Sequence, residues 1–192
     1  MPVVLFGHSF VKRFAGRCKA VVDIELERES IPITCLGEGG LSLSRMASNH
    51  RRYYQLIAKA NPSILIIDIG TNDLCSRDIE LEALLDSLCA FVRDMKKYAI
   101  YPSVIVFLPV LPRTGNMRPN QVSVDQFNSK AEAFNKLLEG ETLREDKWWL
   151  WTHRGLKHPR YNVDGVHLTT QGMTQYGKTI RQLVKFFQSR IW

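Results

Sequence analysis

Three side chains of this sequence have the types and spacing that serine-dependent acyl transfer needs. Ser9 follows a short apolar run, residues 3 to 6, and Asp164 precedes His167 by three positions. A serine hydroxyl can attack an ester carbonyl when an imidazole accepts its proton and a carboxylate orients that imidazole. His167 suits the base because imidazole titrates near neutrality. In a turn, the spacing of Asp164 can bring its carboxylate to the far ring nitrogen, so we interpret the three residues as a triad.

The same chemistry needs hydrogen-bond donors for an oxyanion, and two glycine-containing stretches offer candidates. "GEGG", 37 to 40, and "GTND", 70 to 73, each follow a predicted strand. The candidate donors are the backbone N–H of Gly40, the side-chain amide of Asn72 and the backbone N–H of Ser9. Glycine suits such a place because a backbone without a Cβ can lie close to a substrate.

Each of these stretches also has an ordinary structural interpretation. A serine between a strand and a helix is commonly an N-cap. "GEGG" fits a tight turn or an anion-binding helix start, and "GTND" fits a turn whose Asn and Asp bond their own backbone. Asp164-Gly165 alone is a turn signal. Their occurrence together at the ends of predicted strands favours the catalytic interpretation.

The elements that must position these residues alternate between strand-like and helix-like patterns. Strands are predicted at 3–6, 31–36, 63–70, 103–112 and 147–153, and helices at 10–20, 41–60, 78–99, 123–139 and 170–188. This alternation predicts an α/β fold, a parallel sheet with helices on both faces, whose sites lie at the carboxyl ends of the strands. No boundary divides the 192 residues, which predicts a single domain over 1–192.

With these motifs the sequence resembles the SGNH hydrolases, also called GDSL-type esterases and lipases. Gly7-His8-Ser9 resembles the nucleophile block, and "GEGG" resembles the block with the oxyanion glycine, Gly40. "GTND" matches the Gly-x-Asn-Asp block, which gives Asn72 the oxyanion role, and Asp164 to His167 matches the Asp-x-x-His block. The resemblance implies a flavodoxin-like three-layer α/β/α sandwich around a five-stranded parallel sheet. It also implies an esterase mechanism, which needs no metal or cofactor.

His8 departs from the family pattern, which has an aspartate at this position. A loop-bracing role is expected, because imidazole can donate or accept a hydrogen bond. The alternatives are a direct catalytic role, or a loosened site in a chain that binds rather than hydrolyses. Asp73 is expected to brace its own turn. Asp68, inside an apolar strand, needs a buried partner and is expected to brace a neighbouring loop. His153 and His158 are expected at the mouth of the site.

Charge and composition bear on the partners of the protein. The net charge is +7, spread over short basic clusters. This charge fits either solvated helix faces or attraction to nucleic acid or another polyanion. The alternative to an esterase that acts on a small acyl ester is therefore a catalytically weak or inactive module of the same fold, which binds nucleic acid through its basic surface. SGNH-type domains also occur in retrotransposon-encoded proteins, and such an origin is one hypothesis. A carbohydrate O-acetyl esterase is another.

The cysteines and the chain start bear on the compartment. The four cysteines form no C-x-x-C pair and have no metal-ligand spacing to histidine, which favours reduced, buried thiols over disulfides or zinc. No apolar run approaches the roughly 18–20 residues of a membrane span. No secretory signal is visible, so we expect an intracellular protein, cytoplasmic or nuclear. The apparent lack of a leader indicates a domain cut from a longer protein.

Overall fold

The chain folds around a five-stranded parallel sheet. The computed structural model of the protein describes residues 1–20, 32–115, 118–156 and 164–191. Within these ranges the strands are β1 Val3–Gly7, β2 Ile33–Gly37, β3 Ile64–Asp68, β4 Val104–Phe107 and β5 Trp148–Leu150. They lie in the order β2-β1-β3-β4-β5, and all neighbours are parallel. This is the strand order of flavodoxin-like folds, so the predicted sheet is confirmed.

Helices cover both faces of the sheet and complete the three predicted layers. In the described part of the chain they are α1 Ser9–Ala20, α2 Leu43–Ala47, α3 His50–Ala60, α4 Leu81–Asp94, α5 Val124–Thr142 and α6 Thr170–Ile191. Helices α1 and α6 pack on one face, and α2 to α5 pack on the other. Short 3-10 turns lie at Asp73–Cys75 and Met95–Tyr98.

Alternate residues of the central strand enter two separate hydrophobic cores. Ile64 and Ile66 of β3 pack towards α1 and α6, whereas Leu65 and Ile67 pack towards the other helices. All four side chains are at most 1% exposed. A strand that is buried on both faces appears in sequence as a continuous apolar run. This is why "ILII" predicts a central strand.

The helix predicted over 41–60 is in fact two helices. The first, α2, begins after Ser42, whose hydroxyl accepts a hydrogen bond from the N–H of Arg45 at 3.2 Å. It ends at Ala47, and α3 begins after Asn49, whose φ of −147° and ψ of 35° are not helical. The sequence pattern missed this break because apolar residues continue at helical spacing across it.

The strand predicted over 103–112 ends at Phe107. Pro109 has no N–H to donate to a neighbouring strand. A side chain of α5 satisfies the backbone that follows, since Asn135 accepts from the N–H of Val110 at 2.9 Å and donates to its carbonyl at 3.0 Å. The loop after β4 is therefore attached to α5 instead of extending the sheet.

The expectation of buried thiols is confirmed for two of the cysteines, whereas Cys35 is only half-buried. Cys75 and Cys89 are buried and form no disulfide. Burial raises the pKa of the Cys89 thiol to about 11, which keeps it protonated. None of the described helices is both long enough and apolar enough to cross a membrane. Within the same ranges, His, Cys, Asp and Glu side chains form no metal-binding cluster.

The ends of three strands are tied together at the point where the candidate site begins. A Cβ on Gly7 would lie 2.2 Å from the backbone oxygen of Asp68, so only glycine fits there. The N–H of His8 donates to that same oxygen at 3.2 Å. The N–H of Glu38, just beyond β2, donates to the carbonyl of Gly7 at 3.0 Å. The chain after β1 is therefore held by both of its neighbouring strands.

This close approach predicts that Gly7→Ala destabilises the protein. The added methyl would overlap backbone rather than a flexible side chain, so we expect a loss of about 1–3 kcal/mol or more in the free energy of unfolding. Gly16→Ala is the matched control, because a Cβ there meets no atom within 4 Å in the exposed part of α1. That control should gain about 0.5–1 kcal/mol. Urea unfolding of both variants measures the difference, and equal stabilities would contradict the packing.

Candidate active site

Ser9 is the first residue of α1 and follows the turn that Gly7 and His8 form at the end of β1. Its side chain is half-buried, and its Oγ lies 3.4 Å from Nδ1 of His8. The first N–H groups of a helix have no partner inside the helix and form the positive end of its dipole. A negative charge that develops beside Ser9 is therefore stabilised by this location.

Asp164 and His167 form a bonded pair in the loop before α6. Nδ1 of His167 lies 2.7 Å from Oδ2 of Asp164. Oδ1 of Asp164 accepts from the N–H of Val166 at 3.0 Å and from the N–H of His167 at 2.6 Å. Partial burial raises the pKa of the Asp164 carboxyl, but these bonds from His167 and Val166 hold it well below its usual range. With Nδ1 donating to a carboxylate, Nε2 of His167 is left to accept a proton.

The loop that carries this pair packs tightly against the loop after β4. Gly165 has a φ of +77°, and a Cβ on it would lie 2.5 Å from the backbone nitrogen of Gly115. The N–H of Thr114 donates to the carbonyl of Gly165 at 2.9 Å. The glycine of "DGVH" is thus required both by its backbone conformation and by its neighbour.

One cleft of about 760 Å³ brings four of the predicted site residues together, while Asp164 lies outside its lining and contacts His167. Ser9, Gly40, Asn72 and His167 all line it. The described hydrogen bonds of Ser9 and His167 run to their neighbours in sequence, so no bond joins the two side chains in this structure. Phe10 also lines the cleft, with its ring edge-on to His167 and the ring centroids 6.4 Å apart. The arrangement places a hydroxyl, an imidazole and two candidate donors around one space.

The two loops that carry the candidate oxyanion donors are bonded to each other. Nδ2 of Asn72 donates to the carbonyl of Leu41 at 2.7 Å. A side-chain amide has two N–H donors, so the second is left for a ligand. Leu41 follows Gly40, whose φ of +70° lies in the region that favours glycine. The bond therefore sets the distance between the Asn72 amide and the Gly40 backbone.

Asp73 reaches further than its own turn. Its carboxylate is 6% exposed, and Oδ1 accepts from the N–H of Leu43 at 2.9 Å and of Ser44 at 3.5 Å, at the start of α2. Burial raises the pKa of the Asp73 carboxyl to about 6, although the N–H groups of Ser44 and Leu43 oppose the shift. These contacts fit a bracing role, but they join the Asn72 loop to α2, where the sequence indicated only a local turn.

His8 is buried against Asp68 at the end of β3. Its side chain is 1% exposed, and its Nε2 lies 3.0 Å from Oδ1 of Asp68. The two atoms do not meet in hydrogen-bond geometry, so the contact sets the edge of the imidazole ring against the carboxylate. On the other side of the ring, Nδ1 accepts from the N–H of Phe10 at 3.4 Å. His8 thus links the turn around Ser9 to the neighbouring strand, which fits the expected loop brace.

The second oxygen of Asp68 extends this contact to the last helix. Oδ2 accepts from the hydroxyl of Tyr176 in α6 at 2.7 Å. Burial raises the pKa of Asp68, but the attraction of His8 and the hydrogen bond from Tyr176 hold it below its usual value, so the group is a carboxylate. Burial and Asp68 raise the pKa of Tyr176 well above its ordinary value, which keeps its hydroxyl a donor. Asp68 therefore has the buried partners that its sequence position requires.

His153 does not lie at the mouth of the site, so that prediction is wrong. It is 3% exposed, and its Nδ1 lies 2.8 Å from Oγ1 of Thr179 in α6. Burial lowers the pKa of His153 to about 4, which keeps the ring neutral. His158 lies outside the described residues. The sequence analysis also missed Tyr176 and Thr179, whose only signal is a polar group on the apolar face of the last helix.

Comparisons with solved structures concern the fold. A GDSL-like lipase from Bacteroides thetaiotaomicron is 17% identical, with a TM-score of 0.65 over 95% of this chain and 87% of that one. An acetyl esterase variant with an acetate ion is 14% identical, with a TM-score of 0.69 over 98% and 99%. A catalytic mutant of an acetylxylan esterase from Geobacillus stearothermophilus is 14% identical, with a TM-score of 0.65 over 94% and 93%.

The chain has the fold of the SGNH hydrolases. The flavodoxin-like three-layer sandwich expected from the sequence is therefore confirmed. No family model and no curated protein matches the sequence. The likeness to SGNH hydrolases accordingly lies in how the chain folds, at identities of 13–17%.

The buried carboxyl of Asp73 predicts a dependence of stability on pH. Its pKa is about 6 in the folded chain against an ordinary 3.8, so the folded state binds the extra proton between these values. Wild type should therefore lose stability as pH rises through this range, whereas Asp73→Asn does not titrate. The unfolding free energy of the variant relative to wild type should rise by up to about 3 kcal/mol between pH 4 and pH 8.

Urea unfolding at both pH values measures this change. Asp78→Asn is the control, because Asp78 is exposed on the loop that follows. If the difference in unfolding free energy between Asp73→Asn and wild type stayed constant with pH, burial would not raise the pKa of the Asp73 carboxyl.

The contact between His8 and Asp68 predicts energetic coupling between the two positions. His8→Asp alone sets a second carboxylate against Asp68, so we expect a loss of about 3–5 kcal/mol in the free energy of unfolding. Adding Asp68→Asn removes the like charge, and the double variant should recover about 1–3 kcal/mol relative to the sum of the single losses. His50→Asp, at an exposed histidine, should change stability by about 0.5 kcal/mol or less. Strictly additive losses would argue against the contact.

Proposed function

We propose that this protein is a serine esterase that hydrolyses short-chain, acetyl-type acyl esters through an acyl-enzyme. The observation that carries the proposal is the single cleft lined by Ser9, Gly40, Asn72 and His167. His167 is oriented by Asp164, as a catalytic base has to be. The SGNH fold, shared with esterases and lipases, supports the same activity.

In the proposed mechanism, Oγ of Ser9 attacks the ester carbonyl while Nε2 of His167 takes its proton. Asp164 holds the ring and stabilises the imidazolium. The oxyanion accepts from the N–H of Gly40, the amide of Asn72 and the N–H of Ser9. His167 then protonates the leaving alcohol, and an acyl group remains on the serine. A water molecule, deprotonated by His167, releases the acid and restores the enzyme.

The acetyl type of acyl group is supported by the named activities of the matching structures. One is an acetyl esterase and another is an acetylxylan esterase, and each covers more than nine tenths of this chain. A carbohydrate O-acetyl ester is accordingly a second candidate substrate, supported by the matching acetylxylan and acetyl-xylooligosaccharide esterases. Both candidates use the same residues and the same chemistry.

A module that only binds nucleic acid is not favoured by the geometry. Its support is the net charge of +7, whereas the bonded Asp164 and His167 pair has no role in such a module. The retrotransposon origin and the intracellular location stay predictions from the sequence.

The proposed mechanism predicts that Ser9→Ala and His167→Ala lose esterase activity. We expect kcat for 4-nitrophenyl acetate to fall at least about a thousandfold in each, because the nucleophile and the base act as a unit. A fluorophosphonate probe should label wild type and not Ser9→Ala. Ser87→Ala, which removes an exposed serine from the middle of α4, is the matched control and should keep both signals. Full activity or labelling in Ser9→Ala would refute the mechanism.

A further inference from the structure

We propose that the cleft selects esters whose alcohol part carries a negative charge, such as a carboxylated, phosphorylated or sulfated alcohol. The proposal rests on the proposed function and adds the class of substrate. The observation behind it is that four cationic side chains line the cleft together with Ser9 and His167. They are Lys12, Arg13, Arg113 and Arg118.

Two of these cations stand on the same helix as the nucleophile. Lys12 and Arg13 lie three and four residues after Ser9 in α1, and residues at this spacing share one side of a helix. Both side chains are exposed. They therefore lie near the entrance, beside the hydroxyl that would attack the ester.

The third cation, Arg113, is buried beside the loop that carries Asn72. Arg113 is 6% exposed, and its Nη2 lies 3.4 Å from the carbonyl of Thr71, the residue before Asn72. Its guanidinium stacks over the ring of Phe127 at 4.4 Å. The backbone of Arg113 is held by Asn128 of α5, through bonds of 2.8 and 2.9 Å. The charge at this place is thus positioned by the fold.

The fourth cation, Arg118, lies on the loop after β4. Arg118 starts a turn in which its N–H donates to Oε1 of Gln121 at 3.0 Å, while its carbonyl accepts the N–H of Gln121 at 2.9 Å. Both residues line the cleft. The side chain of Arg118 is exposed, so its charge can meet a ligand that enters from solvent.

The cleft has no acidic side chain of its own among the residues that line it in the described part of the chain. Glu38, next to its glycine loop, is engaged elsewhere, with Oε1 3.0 Å from Arg45 and Oε2 3.2 Å from Arg52. Asp164 is bonded to His167. A surface of one charge around a concave site attracts ligands of the opposite charge.

We place the negative charge of the substrate on its alcohol part, because the acyl group of the proposed substrate is short and uncharged. Hydrolysis adds water across the ester, so the C–O bond breaks and His167 passes its proton to the alcohol oxygen. The products are acetate and the anionic alcohol. The cleft, at about 760 Å³, is in the range of small-molecule sites, and the proposal is therefore a small anionic ester rather than a polymer.

The test compares 4-acetoxybenzoate, an anionic acetate ester, with its neutral methyl ester. The readout is the ratio of kcat/KM for the anionic ester to kcat/KM for the neutral one, in wild type and in Lys12→Gln/Arg13→Gln. Comparing ratios between proteins cancels the intrinsic reactivity of the two esters. We expect the ratio to fall about tenfold in the double variant. In wild type, it should also fall as salt is raised, because salt screens exposed charges.

Two further proteins complete the comparison. Lys96→Gln/Lys97→Gln removes an adjacent basic pair in the 3-10 turn that follows α4 and should keep the wild-type ratio. Arg118→Gln removes an exposed charge from a loop and should also lower the ratio. This variant keeps the proposal testable if Lys12→Gln/Arg13→Gln fails to fold. A ratio that stays within about twofold of wild type in both cleft variants would overturn the proposal, while the esterase activity itself stood.

Binding measurements separate this proposal from the proposed function. Calorimetry on Ser9→Ala compares the Kd of the two intact esters without hydrolysis. Tighter binding of 4-acetoxybenzoate, lost in the Lys12→Gln/Arg13→Gln background, supports the charge selection even if wild type hydrolyses neither ester. Equal Kd values for the two esters would overturn it.

Discussion

The packing of the end of β1 against the end of β3 is the constraint on which the candidate site depends. Gly7 lets the two backbones approach closely, and the next residue, His8, lies against the carboxylate of Asp68. Both groups are buried, so their attraction is little screened and separating them is costly. Ser9 is the next residue, and its position follows from this contact.

The same carboxylate also reaches the other half of the site. Asp68 accepts from Tyr176 in α6, the helix that follows the loop with Asp164 and His167. The turn that precedes Ser9 and the helix that follows the Asp164–His167 loop are thus both in contact with one buried carboxylate. Asp73 does the equivalent for the loops around Asn72 and Gly40, through its bonds to the start of α2.

Charge is divided between the two sides of the site. The carboxylates that hold it, Asp68, Asp73 and Asp164, do not line the cleft, whereas four cations do. Each of these carboxylates is engaged within the protein, by N–H groups, a hydroxyl or an imidazole. At the cleft, the side chains of Lys12, Arg13 and Arg118 are exposed to solvent, whereas Arg113 is buried in its wall. The residues that line the cleft in the described part of the chain therefore carry positive charge and no carboxylate.

The sequence by itself determined the alternation of strands and helices and the motifs at the strand ends. These are local properties, because the periods of 2 and 3.6 residues and the spacing of Asp164 and His167 involve near neighbours in the chain. Only the tertiary structure decided the break before α3, the early end of β4 and the burial of His153. It also decided the pairing of Asp68 with His8 and with Tyr176. These depend on which strands and helices become neighbours, and parallel order joins residues that no local pattern relates.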